Sequence, residues 1–257
     1  MKITNKFSLD SRSKSKSLIS FTDGIRLGIV SIVLSLPALL QSNFILAQPS
    51  IGKLMSIEKS VRISHAKAIL GSKYKRSIAS QLENQGKLEE SLYLQVKENL
   101  RSNGFQNQAA KLTKAILEEA KKYNMDPFLL TAVIKHESRF NPLVAGKYGE
   151  VGLMQLRPNT ARWIAEKTHL DVSDFSREHL FDVAVNVKIG AAYLNYLRSE
   201  FKDNATHYLG AYNMGASNMK RQIAGKRLNT PYPDKVIKEY NRLYKITLSN
   251  TSLVTMN

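Results

Sequence analysis

A mainly α-helical protein is predicted by three features of this chain. Apolar residues recur at three- and four-residue spacing in most segments after residue 77, the mark of helices with one face in a core. No segment sustains the alternate-residue pattern of a half-buried strand. Breakers such as Asn84-Gln85-Gly86, Ser102-Asn103-Gly104 and Pro231-Tyr232-Pro233 cut the pattern at helix-like intervals. No internal repeat is present.

The elements follow in order. Residues 48–104 read as two or three helices, with inward positions at Ile78 and Leu82 and again at Leu88, Leu92 and Val96 or Leu100. They carry no chemistry of their own and are expected to form a helical extension, removable without loss of the groove. Ala109, Leu112, Ile116, Ala120 and Tyr123 make one stripe of the next helix. Asp126-Pro127 ends the connection and starts another: the carboxylate can cap, and proline fits the first turn. That helix runs over 127–140, with Leu130, Val133, Ile134 and Glu137 on one face. Pro142, Gly146, Gly149 and Gly152 make 141–152 a loop. A helix over 160–167 would turn Trp163 and Ile164 inward, and 171–174 is a turn. Helices over 186–201 and 206–214 follow, the first with Gly190, Tyr193, Leu194 and Leu197 inside. The last helix spans about 234–246.

Composition narrows the partners. The chain has 257 residues, 43% of them hydrophobic, enough for a core and too many for a disordered chain. Its formal charge is +17, of which residues 1–47 hold +4. Such a balance favours an anionic partner, whether nucleic acid, an anionic cell-envelope surface of lipid headgroups or a polyanionic wall polymer, and charge alone does not choose among them. No nucleic-acid motif accompanies it, so nucleic acid is not expected as a partner. With no cysteine, disulfides, thiolate metal sites and a cysteine nucleophile are excluded. Six basic residues precede the apolar run Leu27–Leu40, and Ala47 ends the segment. A run of fourteen is short for a membrane span, which needs about 20 residues. The segment 1–47 therefore reads as a secretory signal cleaved after Ala47, with an uncleaved anchor over 27–47 as the alternative. Either places the rest in the periplasm or cell envelope.

Glu137 is the chemical centre. A glutamate on the apolar face, against Val133 and Ile134, has its charged form disfavoured and its pKa raised. A carboxylic acid still protonated near neutrality can protonate a sugar leaving group. The competing explanation is a buried salt bridge with Arg139 or Arg157. Three further stretches bear on the choice. Gly152-Leu153-Met154-Gln155 lets backbone approach a flat ring and offers an amide. Asn186, Gly190, Tyr193 and Leu194 share one helix. Ala211-Tyr212-Asn213-Met214-Gly215 adds a second aromatic and amide pair. Tyrosines suit sugars, ring to the apolar face and hydroxyl to its rim, although Tyr193 and Tyr212 taken singly fit a core equally well.

In this order, Glu137-Ser138, then Gly152 to Gln155, then Asn186 to Leu194, then Ala211 to Gly215, the chain resembles the SLT-type lytic transglycosylases over roughly residues 108–245. The resemblance implies a lysozyme-like catalytic domain over 105–257. It also implies cleavage of peptidoglycan glycan strands without water, leaving 1,6-anhydro-N-acetylmuramic acid ends. It makes Glu137 the catalytic acid and base. Ser138, Gly152, Met154, Gln155, Tyr193, Tyr212, Asn213 and Tyr232 then form the substrate site. No metal or cofactor is implied, and the protein is expected to act as a monomer.

Three positions depart from the family pattern. Gly146 stands where a serine is common, Arg157 where a methionine is common, and Leu228-Asn229 where a Glu-Thr pair is usual. Candidates for the second carboxylate of an ordinary glycosidase are Glu150, Glu166, Asp171, Asp174, Glu178 and Asp182, none of them a signature residue. A muramidase that uses water and a wall-binding protein without turnover are the rival readings.

Overall fold

The computed structural model describes residues 59–82, 85–170 and 176–254. The expected export segment 1–47 and the turn at 171–174 lie outside them. Among the described residues the secondary structure is helical, with two isolated bridges, Ala145 with Val151 and Val151 with Leu156. The mainly α class holds. None of the described helices is long and apolar enough to cross a membrane.

In chain order the helices are α1 (Lys59–Leu70), α2 (Ile78–Gln81), α3 (Gln85–Arg101), α4 (Ala109–Lys122) and α5 (Pro127–Ser138). They continue with α6 (Pro158–Lys167), α7 (Val183–Glu200), α8 (Ala205–Met214), α9 (Ala216–Ala224) and α10 (Tyr232–Val254). Gln85 and Gly86 belong to α3 rather than breaking the chain. Helix α9 answers to no sequence expectation.

Helix α5 is the centre of the packing. Asp126 caps it, accepting from the Phe128 amide at 3.0 Å, with Pro127 in the first turn as expected. Every residue from Pro127 to Ile134 is buried, so the first two turns have no wet face. A helix apolar all round belongs in the middle of a core. Helix α10 lies along one flank of α5, α4 packs on it, and α7 covers α4 from the far side. Glu137 therefore emerges at the one end of α5 that reaches the surface.

The helix stops where its own side chain turns it off. The Ser138 hydroxyl donates to the Ile134 carbonyl and accepts from the Phe140 amide, both at 3.1 Å. Arg139 and Phe140 then take left-handed backbone angles, φ 53° and 66°. Phe140 is fully buried.

Residues 59–104 are not an outlying layer. Leu92, Val96 and Leu100 are fully buried in the same hydrophobic cluster as Leu112, Phe128 and Leu243. Helix α3 packs against α4 and α10. Gln95 and Ser91 bond to Thr247, and His65 Nδ1 accepts from the Asp126 amide at 2.8 Å. The expected helices are there, but they complete the core around α5 instead of decorating it.

Candidate active site

The groove is lined by residues from five places in the chain. They are the end of α5 (Glu137), the loop 146–157 (among them Glu150, Gln155 and Arg157), Thr160 of α6, Tyr193 of α7, and residues 212–218. Of the expected site residues, Glu137, Gln155, Tyr193, Tyr212 and Asn213 meet there. Ser138, Gly152, Met154 and Tyr232 do not face it; each supports it from beneath.

Loop 141–157 closes on itself by short backbone bonds. Gly146 donates to the Glu150 carbonyl at 2.8 Å, and Val151 and Leu156 exchange bonds at 3.0 and 3.1 Å. Helix α7 holds this loop from below. Buried Asn186 accepts from the Met154 amide at 2.8 Å and donates to the carbonyls of Val151 and Leu180 at 3.0 and 2.7 Å. Gly152, at φ 75°, lies so close that an added Cβ would stand 2.2 Å from the Leu180 carbonyl oxygen. At Gly190 a Cβ would meet the Met154 sulfur at 2.3 Å. The Asn186 to Gly190 spacing is thus the seat of the Gly152 to Gln155 loop, a structural role that the sequence alone left open.

Glu137 is largely buried, and the Tyr232 hydroxyl donates to its Oε1. Neither Arg139 nor Arg157 pairs with it; Arg157 binds Glu150 instead. Burial raises the Glu137 carboxyl from 4.5 to about 7; the Tyr232 bond opposes that rise, and the Glu150 charge adds to it. Near neutrality such a carboxyl can both give and take a proton. Tyr232, itself buried and edge-on to His136 with ring centroids 5.0 Å apart, keeps its phenolic proton because burial raises its pKa well above 10. The Tyr212 hydroxyl is spent on the Met154 carbonyl at 2.8 Å, so it braces the loop and offers its ring to the groove, 5.4 Å from that of Tyr193.

Two departures from the family pattern prove to be one rearrangement. A Cβ at Gly146 would lie 2.5 Å from Glu150 Oε2 and 2.8 Å from Gln155 Oε1. The Glu150 carboxylate occupies the space a side chain at 146 would need. It accepts from the Tyr148 amide at 2.9 Å and from Arg157 Nε at 3.0 Å. Partial burial pushes its pKa up, but these bonds and the Arg157 charge hold it below the usual value. Arg157 also lies over the Tyr148 ring at 5.7 Å. Glu150 is therefore a second carboxylate in the groove, and the sequence signal for it was the paired presence of Gly146 and Arg157. On the far side, the Asn229 amide donates to Gln222 Oε1 at 2.9 Å, tying the loop with Leu228-Asn229 to α9.

Tyr232→Phe should separate these effects. Without the phenolic donor the carboxylate loses its stabilising bond, so the Glu137 pKa rises and the alkaline limb of the pH–rate profile moves to higher pH. Loss of orientation should lower the rate at the optimum by roughly 10–10²-fold. An unmoved alkaline limb, measured on soluble glycan fragments, would show that the bond does not act on the reacting carboxyl.

Residues 114–232 match the family model described as transglycosylase SLT domain. Membrane-bound lytic murein transglycosylase C of Histophilus somni is 33% identical over 135 residues, 47% of this chain and 37% of the relative. Its namesake in Haemophilus influenzae is 28% identical over 148 residues, 52% of this chain and 42% of the relative. The chain thus spans about two fifths of the length of these relatives. Among solved structures, an inactive mutant of lytic transglycosylase Slt from Pseudomonas aeruginosa is 26% identical, with TM-score 0.41 over 52% of this chain and 21% of that one. The 70 kDa soluble lytic transglycosylase of Escherichia coli is 20% identical, with TM-score 0.45 over 72% of this chain and 31% of that one. The Glu137 helix, the Gly152 to Gln155 loop, the Asn186 to Leu194 helix and the Ala211 to Gly215 turn all fall inside residues 114–232, the part of the chain that matches the transglycosylase SLT domain.

Proposed function

We propose that the protein is an exported peptidoglycan lytic transglycosylase that cleaves the bond from N-acetylmuramic acid to N-acetylglucosamine and leaves 1,6-anhydro ends. The observation that carries this reading is Glu137: a carboxyl raised to about 7 at the wall of an open groove, held by a tyrosine rather than by a cation. Glu137 donates its proton to the bridging oxygen. The substrate's own N-acetyl group supports the positive charge at the anomeric carbon. Glu137, now a base, takes the proton of the C6 hydroxyl, which closes the second ring. Gln155 and Asn213 supply polar contacts to the strand, and Tyr193 and Tyr212 supply ring surface. The charge of +13 left on the body once the +4 of residues 1–47 is set aside from the total of +17 draws in the carboxylates of the peptide stems. The names of the Histophilus and Haemophilus relatives, "membrane-bound lytic murein transglycosylase", support a place in the cell envelope. We place the export segment at 1–47, and we read the folded body as a monomer in which the described helices of 59–104 and the catalytic part are one unit.

A muramidase reading is favoured by one observation, the ionised Glu150 in the same groove. Its chemistry weighs against it. A base that must activate water works best with a pKa near the working pH, whereas Arg157 and the Tyr148 amide hold this carboxylate low and occupy both its oxygens. The C6 hydroxyl is tethered to the reacting ring and attacks at high effective concentration. Muropeptides released from purified sacculi should therefore end in anhydro-muramic acid, one water lighter than hydrolysis products and resistant to borohydride. Reducible muramic acid ends as the main product would make the protein a hydrolase with Glu150 as its base.

A further inference from the structure

We propose that Trp163 and Tyr196 form an outer stacking site for the glycan strand, continuing the groove past Thr160 and Tyr193. Trp163 is the single tryptophan of the chain. The sequence turns it inward, next to Ile164; the structure leaves it 42% exposed while Ala161, Ile164 and Ala165 supply the buried face of α6. The indole is not needed to fill the core. Its ring stands edge-on to Tyr196 of α7, centroids 5.0 Å apart and planes at 87°.

Position assigns the occupant. Thr160 and Tyr193 line the groove, and Trp163 and Tyr196 are each three residues further along the same two helices. On an α-helix that step returns to nearly the same face about 5 Å onward. The two helices pack together and carry both pairs, hydroxyl and phenol lining the groove, indole and phenol in contact three residues on. A pyranose ring laid on the outer pair would set its axial C–H bonds, which carry partial positive charge, on the negative face of the indole, with its hydroxyls in water. Lys167 Nζ lies over both rings, 5.7 Å from the Trp163 centroid and 5.4 Å from that of Tyr196, so one face of the pair carries a cation that suits a strand bearing carboxylates. Tyr196 is steadied through Glu200, which Lys220 of α9 pairs. The occupant is the continuation of the same strand that fills the groove, so the inference rests on reading that groove as a glycan site.

The lone tryptophan gives the test its probe. In the Glu137→Gln variant, N-acetylglucosamine hexamers should change tryptophan emission saturably at concentrations where the dimer has no effect. Unchanged emission at hexamer concentrations that calorimetry shows to be saturating would overturn the proposal. In the otherwise unaltered enzyme, Trp163→Ala should raise KM for long strands about fivefold more than for a tetrasaccharide, with kcat little changed. Trp163→Phe should recover most of the difference. Equal penalties on long and short substrates would also overturn it, because a folding defect acts on both alike. If the unaltered protein releases no product from any glycan, the reading of the groove fails by itself, and the fluorescence titration still decides the outer site.

Discussion

Glu137→Gln should abolish turnover while making the protein more stable. The amide keeps the shape of the side chain and can still accept from Tyr232, but it neither gives nor retrieves a proton. General acid–base catalysis is worth about 10²–10⁴-fold, and in the proposed mechanism one carboxyl serves both halves of the reaction. A loss at or beyond the upper end is expected. The stability gain follows from the raised pKa. A carboxyl that titrates at 4.5 unfolded and at about 7 folded binds its proton more tightly in the native state. The native state is therefore undisturbed below pH 4.5, and it is penalised increasingly as pH rises towards 7 and above. The full penalty is on the order of 3 kcal/mol at alkaline pH. The glutamine variant should melt above the parent at pH 8, and the two should converge at pH 4. Retained activity on sacculi would move the acid elsewhere, with Glu150 the first candidate. A melting difference independent of pH would mean that Glu137 is not strained by burial.

What was legible in the sequence was whatever depended on one helix at a time. The periodicity of 109–123 and the Asp126-Pro127 start located α4 and α5, and Glu137 on an apolar face already implied a raised pKa. What was not legible depended on pairs distant in sequence. Gly146 and Arg157 looked like unrelated departures, and Glu150 like one of six candidate second carboxylates, until the fold put the Glu150 carboxylate in the space above Gly146 and Arg157 across from it. The role of Asn186 and Gly190 stayed open, because a buried amide and a close glycine have the same appearance in a sequence whether they serve substrate or backbone. Ser138 was misleading for the same reason: its hydroxyl is used within its own turn. Helix α9 was missed because its apolar face is thin, with Met219 its one fully buried residue and charged or polar residues around it. Trp163 was placed inward on hydropathy alone.

The extension over 59–104 shows the largest distance between expectation and structure, and Asp126→Ala tests it most directly. This carboxylate is wholly enclosed. One oxygen caps α5; the other accepts from the hydroxyls of Tyr240 and Tyr244, each at 2.6 Å. Arg62, on α1, bonds the Tyr244 hydroxyl at 3.2 Å and the carbonyls of Ala79 and Leu82 at 3.2 and 2.9 Å. Arg62 thus gathers α1, α2 and α10 around the start of the helix that ends in Glu137. Burial pushes the Asp126 pKa up, and the two phenols, the Phe128 amide and the Arg62 charge push it back. The alanine variant removes the cap, deprives two buried phenols of their acceptor and leaves a buried guanidinium without its anion. Together these should cost about 3–5 kcal/mol, read from the urea midpoint. Asp126→Asn keeps an acceptor for the cap and should lose less than half as much. By the same reasoning a chain begun at Gly104 lacks Arg62, His65, Leu92 and Val96 and should not fold cooperatively. A truncated chain with a sharp unfolding transition and intact activity would show that α5 is held by α4 and α10 alone; a mild Asp126→Ala would show that the Arg62–Tyr244–Asp126 network only fills space.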